Sequence, residues 1–455
     1  MFRRALGLRR GTGPPLAVCS GPSGLRVSAR FAGAAIEYHH PDKRASNRLS
    51  LPFAFLSDCE GSKDEPVQVA CEGKSQVVAS WKNGKQAQTL RYEMPKIQAL
   101  PARSKSTSTS GPGMLQSLRD AAETTSREAV RFAIDNLQLQ GKTGKIVATD
   151  GRQLLIQTGF ELPWEDNLLV PSSTVFASRE LVGCDVTIGK TAKHVVFRIG
   201  HWTIWLPVAK EGRFPEVEEH VPSARDATAT LDLPDCDVDF LTKSLKQLPS
   251  DDSFNQPVTV DLNGSVSIRA KSEERSNATE LVLSNAKTSG QALRFNTNRQ
   301  YLARAAKLGF RRICLTGDET PAACFDDTRV FVWALLSNGD AIKPGKCTEC
   351  IESPKSRVRP TTNNLSKEPP KTMPQKRNQN NNNGKANTNG AQTSSAAEPV
   401  SVDTLIDHAE SLKESLRDAA TKTGNLISLL KRHRKNSKTL QSALSSIRQL
   451  QTIDA

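Results

Sequence analysis

The residue types that usually carry catalysis are scattered along this 455-residue chain instead of being grouped at the spacings that a reaction needs. None of the seven histidines belongs to an HExxH pattern, and none lies near a serine or cysteine in a recognisable nucleophile turn. Gly11-Thr12-Gly13 is followed by two prolines and not by a helix, so it does not match a phosphate-binding loop. The sequence therefore predicts a protein that is not an enzyme.

Two short segments contain side chains that bind metals in other proteins. Cys347 and Cys350 form the only CxxC pair, which supplies two of the four ligands of a structural zinc site, and no second pair follows. The other segment is an acidic cluster that ends in a histidine, and it consists of Glu216, Glu218, Glu219 and His220. An unmetallated pair and a solvated loop are the favoured interpretations, so we expect neither a metal nor a cofactor.

The basic excess of the chain lies in its flanks. The net charge is +14, but residues 1–100 (15 basic, 8 acidic) carry +7, residues 101–340 (28 basic, 30 acidic) carry −2, and residues 341–455 (19 basic, 10 acidic) carry +9. An argument for nucleic-acid binding from the overall charge would therefore concern the flanks and not the middle. The nine cysteines are unevenly spaced, which is typical of reduced thiols in a cytoplasmic protein.

The first 36 residues contain six arginines and no acidic residue. This composition resembles a mitochondrial transit peptide, and it also fits a disordered basic arm or a start codon assigned too far upstream. We expect residues 1–36 to be a disordered basic arm. No apolar run approaches the ~18 residues of a membrane span, which predicts a soluble protein without membrane contact.

Residues 37–101 predict a small β region that ends in a linker. Strand patterns surround Asn83-Gly84, a typical hairpin turn. Residues 102–112, rich in serine and threonine, predict the linker. The strand patterns lie at Pro66–Ala70, Gln76–Trp81 and Ala87–Tyr92.

From Met114 the apolar periodicity becomes regular, and it is then repeated. A helix with an apolar face precedes strands, a second helix after Pro171 and further strands, and the same order follows from about residue 225. Val170–Leu181 matches Phe295–Ala306 at an offset of 125 residues, and Val186–Ile188 matches Ile313–Leu315 at an offset of 127. We therefore expect an α+β fold in which residues 113–224 and 225–337 are duplicated units, each with helices packed on antiparallel sheet.

The C-terminal part of the chain predicts a disordered linker and then a long helix. Residues 338–400 are rich in Asn, Pro, Lys, Gln and Ser and cannot bury enough apolar surface to offset chain entropy. Residues 401–452 predict a coiled-coil helix on the order of 70 Å long. Its a positions are Val402, Ala409, Leu416, Thr423, Leu430, Ser437 and Leu444, and its d positions are Leu405, Leu412, Ala419, Leu426, His433, Leu440 and Ile447. A lone amphipathic helix packed on the body is the alternative, and Lys431–Lys435 would either contact DNA or lie on the exposed side of the coil.

Three segments of the middle region carry a resemblance to a known family. They are Val147–Leu154 with its Thr-Asp-Gly turn, Gly212–Pro215, and Phe295-Asn296 before a short helix. In this spacing, residues 113–337 resemble the middle and last domains of the bacterial sliding clamp, the beta subunit of DNA polymerase III, as a divergent member. The resemblance implies tandem clamp domains preceded by a reduced clamp-like region over residues 37–101.

The resemblance also implies a function and an assembly. A clamp is a DNA-processivity factor that encircles double-stranded DNA without sequence preference and tethers a polymerase or other clamp-binding proteins, here in the cytoplasm at the nucleoid. Such rings usually contain six units, so two units per chain would imply a trimer and three a dimer. The rival hypothesis is a clamp-derived scaffold that assembles through residues 402–447 without encircling DNA.

The family binds short peptides of its partners in a groove between its middle and last domains. Transferred by motif, the groove residues here are Thr149, Gly151, Arg152, Leu154, Pro215, Glu219, His220, Val332, Ala334 and Leu336. An apolar pocket floored by Leu154 and Val332 would accept an aliphatic or aromatic anchor. Trp333–Leu336 replaces the family's closing Met-Pro, Gln153 replaces an arginine, and Glu219 stands where a basic residue is usual. The alternative is that these residues only close the hairpin and the domain junction.

Contacts to DNA would come from the helices that line the ring. The basic residues off their apolar stripes are Arg119, Lys243, Lys246, Arg304 and Lys307. Contacts of such residues to phosphates are independent of sequence and sensitive to salt, as a sliding ring requires. A solvated helix face produces the same pattern and is the alternative.

Overall fold

The computed structural model describes residues 1–8, 12–59, 66–73, 75–84, 86–126, 132–251, 255–272, 277–345 and 349–355. The coiled coil predicted over 401–452 and most of the linker predicted over 338–400 lie outside the described residues. Within the part that is described, no helix has the length and apolar character needed to cross a membrane.

The described chain is built from three consecutive units of helices and strands. The first contains α1 (Phe2–Ala5), β1 (Leu16–Gly21), β2 (Gly24–Phe31), β3 (Ala34–His40), β4 (Asn47–Leu51), α2 (Phe55–Asp58), β5 (Gln68–Glu72), β6 (Gln76–Asn83) and β7 (Gln86–Glu93). The second contains β8 (Thr107–Ser110), α3 (Gly113–Thr124), β9 (Asn136–Gln140), β10 (Lys145–Thr149), β11 (Gln153–Gln157), β12 (Asn167–Pro171), β13 (Val186–Lys190), β14 (His194–Ile199) and β15 (Trp202–Pro207). The third contains β16 (Ala229–Asp232), α4 (Asp235–Ser244), β17 (Pro257–Asp261), β18 (Val266–Ala270), β19 (Thr279–Leu283), β20 (Lys287–Gly290), β21 (Arg294–Asn298), α5 (Arg299–Lys307), β22 (Arg312–Leu315), β23 (Ala322–Phe325), β24 (Arg329–Trp333) and β25 (Glu349–Glu352).

The units repeat one strand topology. In each, a three-stranded meander carries a fourth strand beside its first strand, giving the orders β4-β1-β2-β3, β12-β9-β10-β11 and β21-β17-β18-β19. A second meander follows as β5-β6-β7, β13-β14-β15 and β22-β23-β24, with β8 and β16 beside the first strands of the last two. All the pairings named so far are antiparallel, whereas β25 pairs with β19 in parallel. The predicted tandem α+β units are therefore confirmed.

Adjacent units are joined by pairing of strands across their boundaries. β3 pairs with β15, and β11 pairs with β24, so each sheet continues from one unit into the next. In both junctions the last strand of a first meander meets the last strand of the following unit's second meander. Apolar side chains that are 0% exposed face each other there, Ile36 opposite Ile204 and Leu155 opposite Phe331. Burial of each such side chain stabilises the junction by roughly 1.5–3 kcal/mol.

The helical elements form a continuous row across the three units. α1 contacts the 3-10 turn Thr174–Ala177, and this turn contacts α3. α5 reaches α3 through the side chain of Arg304, and α4 packs on α5. α3 forms over Gly113–Thr124 because Leu115, Leu118 and Ala121 recur at helical spacing and are buried against the strands.

The expected disordered arm over residues 1–36 is wrong. These residues contain α1, β1, β2 and the start of β3, and Leu16 and Ile36 are fully buried. The expected linker over 102–112 includes β8, which pairs with β13, and the expected linker from 338 includes β25. The first unit therefore begins before residue 37 and is larger than the reduced region predicted for it.

The second helix expected after Pro171 is also different. Two 3-10 turns, Thr174–Ala177 and Arg179–Leu181, occupy this place. The Ser173 hydroxyl accepts from the N–H of Val175, so serine caps the first turn, but the chain returns to extended backbone at Ser178. In the third unit the corresponding segment is the regular helix α5, which Asn298 caps.

Candidate functional site

The turn between β10 and β11 is fixed by its own side chains. Asp150 Oδ1 accepts from the N–H groups of Arg152 and Gln153, each at 2.8 Å, and the Thr149 hydroxyl accepts from the N–H of Gly151 at 3.0 Å. Gly151 has a φ of +89°, a conformation that favours glycine. Thr149 and Gly151 thus serve the hairpin itself, and the backbone of Arg152 is held for contacts with the third unit.

Leu154 and Val332 are brought together by the junction of the second and third units. They are register partners on β11 and β24, and they share one apolar cluster with Phe214 and Ala323. Leu154 is only 7% exposed and Val332 only 6%, because the segment that follows β15 packs over them through Phe214. Leu154 and Val332 therefore form an apolar patch that the chain's own residues 209–221 cover in large part, and its role as the floor of a binding pocket stays a prediction.

Three hydrogen bonds, one to Arg213 and two to Glu218, anchor this covering segment. The backbone N–H of Ala133 donates to Arg213 O at 3.0 Å, and Glu218 accepts from Lys145 at 2.5 Å and from Gln140 at 2.8 Å. Partial burial raises the pKa of Glu218, but the hydrogen bonds from Lys145 and Gln140 outweigh it and hold the pKa below its ordinary value. Glu218 is consequently a structural anchor.

The other residues predicted in this segment lie around the anchor. Pro215 is half-buried next to Phe214, and its carbonyl accepts from the N–H of Val217 at 2.9 Å. Glu219 and His220 are exposed in the 3-10 turn Glu218–His220. They are therefore accessible to solvent at the end of the covering segment.

The third unit closes the other side of the turn. The N–H of Ala334 donates to Arg152 O at 2.8 Å, and Arg152 Nη1 donates to Asn255 Oδ1 at 2.8 Å. Leu336 donates its N–H to Asn296 O and, with Asn255 and Asn296, lines an open cavity of about 660 Å³. Ala334 is exposed and does not line this cavity, whereas the half-buried Leu336 does.

Sequence reasoning missed a tyrosine that helps to close this site. Tyr301 on α5 donates its hydroxyl to Asp150 Oδ2 at 3.4 Å, although the two residues are 151 positions apart. Burial and the neighbouring Asp150 carboxylate raise the pKa of Tyr301 to about 12, so it stays a hydrogen-bond donor at neutral pH. Phe214 could have been found from the sequence, because it belongs to the Gly212–Pro215 segment. Tyr301 and Asn255 belong to no segment that the sequence singles out.

The five basic residues predicted to face DNA have different environments. Lys243 and Lys246 are exposed at the end of α4 and just after it. Arg119 is half-exposed and pairs with Glu123 at 3.2 Å, and the 61%-exposed Lys307 pairs with the same carboxylate at 3.3 Å. These four residues are accessible to solvent, on α3, on α4 with the 3-10 turn that follows it, and on α5.

Arg304 stands apart because it lies between two units. Its side chain is 11% exposed, Nη1 lies 2.5 Å from Glu123 Oε2, and Nη2 donates to the Asp120 carbonyl at 2.8 Å. Burial raises the pKa of Glu123, yet the hydrogen bonds and charges of Arg304, Arg119 and Lys307 outweigh this and lower it to about 2. Burial raises the pKa of Asp120 and outweighs the opposing contacts from Gln116 and Arg304. The geometry of Arg304 fits a clasp between α5 and α3 better than a free contact to phosphate.

Among the residues that the structure describes, no three His, Cys, Asp or Glu side chains are grouped as metal ligands. Cys347 lies outside these residues, and Cys350 is exposed on β25. The acidic cluster that ends at His220 is divided, because Glu218 pairs with Lys145 while Glu216 pairs with Arg213 at 3.2 Å.

Comparison with known proteins finds similarity in structure and not in sequence. No family model matches the sequence, and no curated protein matches it. A DNA polymerase sliding clamp from Bacillus subtilis aligns with a TM-score of 0.60 at 15% identity, over 71% of this chain and 91% of that one. The sliding clamp (DNA polymerase III subunit beta) from Bartonella birtlesii bound to griselimycin aligns with a TM-score of 0.60 at 15% identity, over 73% and 95%. The beta subunit from DNA polymerase of Streptococcus pyogenes aligns with a TM-score of 0.59 at 15% identity, over 74% and 97%.

Three units of one topology, joined edge to edge with their helices in a row, place this chain in the sliding-clamp fold class. The coverage of nearly the whole of each similar structure makes DNA polymerase III beta subunits the proteins that it resembles in fold. The resemblance inferred from the sequence is confirmed for the fold, and it extends over the first unit as well.

Proposed function

We propose that this protein is a divergent sliding-clamp-like processivity factor, which encircles double-stranded DNA and tethers a DNA polymerase or repair protein. The observation that carries the proposal is that one sheet continues across each of the two unit junctions and that the helix row extends through all three like units. Such a helix row can line a central hole only if further units complete a ring. Three units per chain favour a dimer over a trimer for a ring of six.

We infer that the helix row is the DNA-facing side. Lys243, Lys246 and Lys307 are exposed there, Arg119 is 40% exposed, and all four would contact phosphates without reading bases. Arg304 is given a different role in this proposal, as the clasp between the second and third units. A DNA partner would place the protein in the cytoplasm at the nucleoid, and the proposal includes no catalysis and no cofactor.

We infer that partners bind at the junction of the second and third units. Leu154 and Val332 supply the apolar floor, the Thr149–Arg152 turn supplies polar atoms, and Leu336 borders the open cavity. Ala334 is exposed next to Trp333 and would contact the partner from the end of β24. An anchor side chain would have to share the patch with Phe214 or displace it. Pro215, Glu219 and His220 would then contact the partner from the covering segment.

A scaffold that does not encircle DNA is the second candidate. Exposed Asp235 and Asp239 lie on α4 with Lys243, so the helix row is not uniformly basic. The β19 edge is also occupied by β25. Such a scaffold would assemble through the predicted coiled coil over residues 402–447.

The test compares circular with linear DNA. The full-length protein is incubated with a nicked plasmid and separated by gel filtration at rising salt, and a second sample is linearised before separation. A ring stays on the circle and slides off the linear form, and its mass by light scattering is that of two chains. Equal retention on both forms would support the scaffold, whereas a monomeric mass under binding conditions would contradict both the ring and a scaffold that assembles through residues 402–447.

Charge reversal tests the DNA-facing side. Lys243→Glu with Lys246→Glu should reduce the slope of log binding constant against log salt by roughly 2, because each phosphate contact contributes about 0.9. The matched control is Lys142→Glu with Lys287→Glu, which alters exposed lysines of a strand turn and of β20. A slope that changes equally in both pairs would contradict the assignment.

A further inference from the structure

The strand β25 pairs with the edge of β19, and in the other two units the equivalent edge pairs with a strand of a neighbouring unit. β3, β11 and β19 hold the same position, the last strand of a first meander. β3 and β11 each pair antiparallel with the last strand of a second meander, β15 and β24 respectively. β19 instead pairs in parallel with β25, a four-residue strand that follows the second meander of the same unit.

β25 packs less well on its edge than the strands at the two unit junctions do. Ile351 lies opposite Leu281 in the register, and it remains 37% exposed. The equivalent residues at the junctions, Ile204 opposite Ile36 and Phe331 opposite Leu155, are 0% exposed. Parallel pairing is also slightly weaker per residue than antiparallel pairing. β25 is therefore a weak substitute for the strand that the position favours.

A polar latch fixes the C-terminal end of β25. Ser353 donates its N–H to Val282 O at 2.8 Å and its hydroxyl to Asp237 Oδ1 at 2.5 Å. The Ser353 hydroxyl also accepts from the N–H of Ser284 at 2.8 Å, and Asp237 is 0% exposed on α4. Asn285 donates its side-chain amide to the same Asp237 oxygen at 3.0 Å and to Pro354 O at 2.9 Å. Ser353, the residue that follows β25, thus joins the end of this strand to β19 and to α4.

The last strand of the first unit's second meander, β7, is the natural occupant of the β19 edge. Among the described strands, β7 pairs only with β6, so its other side is an edge. Leu90 on β7 is 42% exposed although its register partner Ala79 is fully buried on the same face. Asn83 and Gln86 flank a two-residue turn and form a hydrogen-bonded pair, and such pairs alternate with non-hydrogen-bonded pairs along the hairpin. Thr89, opposite Ser80, is in a non-hydrogen-bonded pair, so its backbone N–H points away from β6. β7 thus presents backbone donors and an uncovered leucine, as an incomplete sheet does.

We propose that β25 is a displaceable cover of the β19 edge, which competes with β7 of a second copy of this chain. Release of the Ser353 latch exposes the edge, and β7 of the other copy then adds in antiparallel register and covers Leu90. This inference rests on the proposed ring for its biological purpose. The competition itself concerns only the association of two chains.

The test measures self-association of the full-length chain by sedimentation, in a background with Leu416→Pro and Leu426→Pro to prevent association through the heptad region. Ser353→Pro removes the N–H and the hydroxyl of the latch, and it should strengthen association about tenfold, the scale of one or two net hydrogen bonds. Ser353→Ala removes only the hydroxyl and should act in the same direction with a smaller effect. A photo-crosslinker at Arg91 should capture residues 279–283 of the other copy more strongly in both variants.

Thr89→Pro is the matched variant on the other strand. Proline at this outward position leaves the pairing with β6 intact, and it should return the Ser353→Pro protein to the wild-type association constant. Unchanged thermal unfolding establishes that the variants are folded, and Ser353→Ala replaces Ser353→Pro if the proline variant is not. The proposal is overturned if the folded Ser353 variants associate like the wild type, if Thr89→Pro has no effect, or if residues 349–353 keep their hydrogen-exchange protection in the associated form. An associated form without retention on circular DNA would contradict the proposed ring and leave the competition intact.

Discussion

Replacing Arg304 by methionine should weaken the junction between the second and third units by about 2–3 kcal/mol. Removing one partner of a buried ion pair costs about 3–5 kcal/mol. In the variant, the Glu123 carboxylate still pairs with Arg119 and Lys307 and is 32% exposed, so the loss of stability is smaller than for a fully buried pair. The carbonyl of Asp120 also loses the donor at 2.8 Å, which adds to it.

The measurement is equilibrium unfolding in urea followed by tryptophan fluorescence. Trp333, one of the five tryptophans of the chain, is fully buried on β24, and hydrogen exchange in β11 and β24 locates the effect at this junction. Lys307→Met is the matched control, because its exposed pair with the same carboxylate should contribute only about 0–0.5 kcal/mol. Arg304→Lys keeps the charge but loses the forked guanidinium geometry, so its effect on the free energy of unfolding should lie between those of Arg304→Met and Lys307→Met.

The clasp interpretation fails if Arg304→Met and Lys307→Met change the free energy of unfolding by the same small amount. The same interpretation predicts that Arg304 does not contact DNA. The salt slope of DNA binding should be the same for folded Arg304→Met and for the wild type, and a slope reduced by about 0.9 would return Arg304 to the phosphate contacts.

Three further outcomes follow from the same regions. The folded pKa of Glu123, about 2, lies below its ordinary 4.5, so the stability that ionised Glu123 contributes is complete above pH 4.5 and is lost as the pH falls toward 2. We expect this contribution to the free energy of unfolding to be about 1–2 kcal/mol after solvent screening. Glu123→Gln should therefore reduce the loss of stability with falling pH. Gly212 has a φ of +126°, and a Cβ there would lie 3.1 Å from the Cβ of Ala133, so Gly212→Ala should cost about 1–3 kcal/mol in urea unfolding, whereas Gly111→Ala, with ordinary backbone and open space, should be near neutral. Phe214→Ala should cost about 3 kcal/mol and increase the fluorescence of a bound hydrophobic dye by uncovering Leu154 and Val332; unchanged dye binding would show that Phe214 does not cover the patch.

The duplicated middle of the chain was predictable because its signals are local. The Asp150-Gly151 turn is held by side chains within four residues of each other, and the helix stripe of Leu115 and Leu118 has the period of a single helix. The offset between Val170–Leu181 and Phe295–Ala306 corresponds to β12 and β21, which occupy the same place in their sheets. These features depend on the chain's own spacing and not on distant contacts.

The first unit was not predictable from the same signals. Its strands carry arginines and small residues, and Ile36 is buried because β15 pairs beside it, more than 160 residues away. β8 reads as a Ser/Thr linker, and it is a strand only because β13 offers its edge. Composition described these segments as flanks, and long-range pairing made them part of the fold.

By itself, the sequence determined that two like α+β units follow one another and that the Thr149–Leu154 hairpin, the Phe214 segment and α5 belong to them. Only the tertiary structure decided that a third unit precedes them, that Arg304 joins α3 to α5 instead of lying free on a helix face, and that β25 covers the edge of β19. The physical reason is that turns, caps and helix stripes are set by neighbours in sequence, whereas burial and edge pairing are set by strands and charges that are distant in the chain.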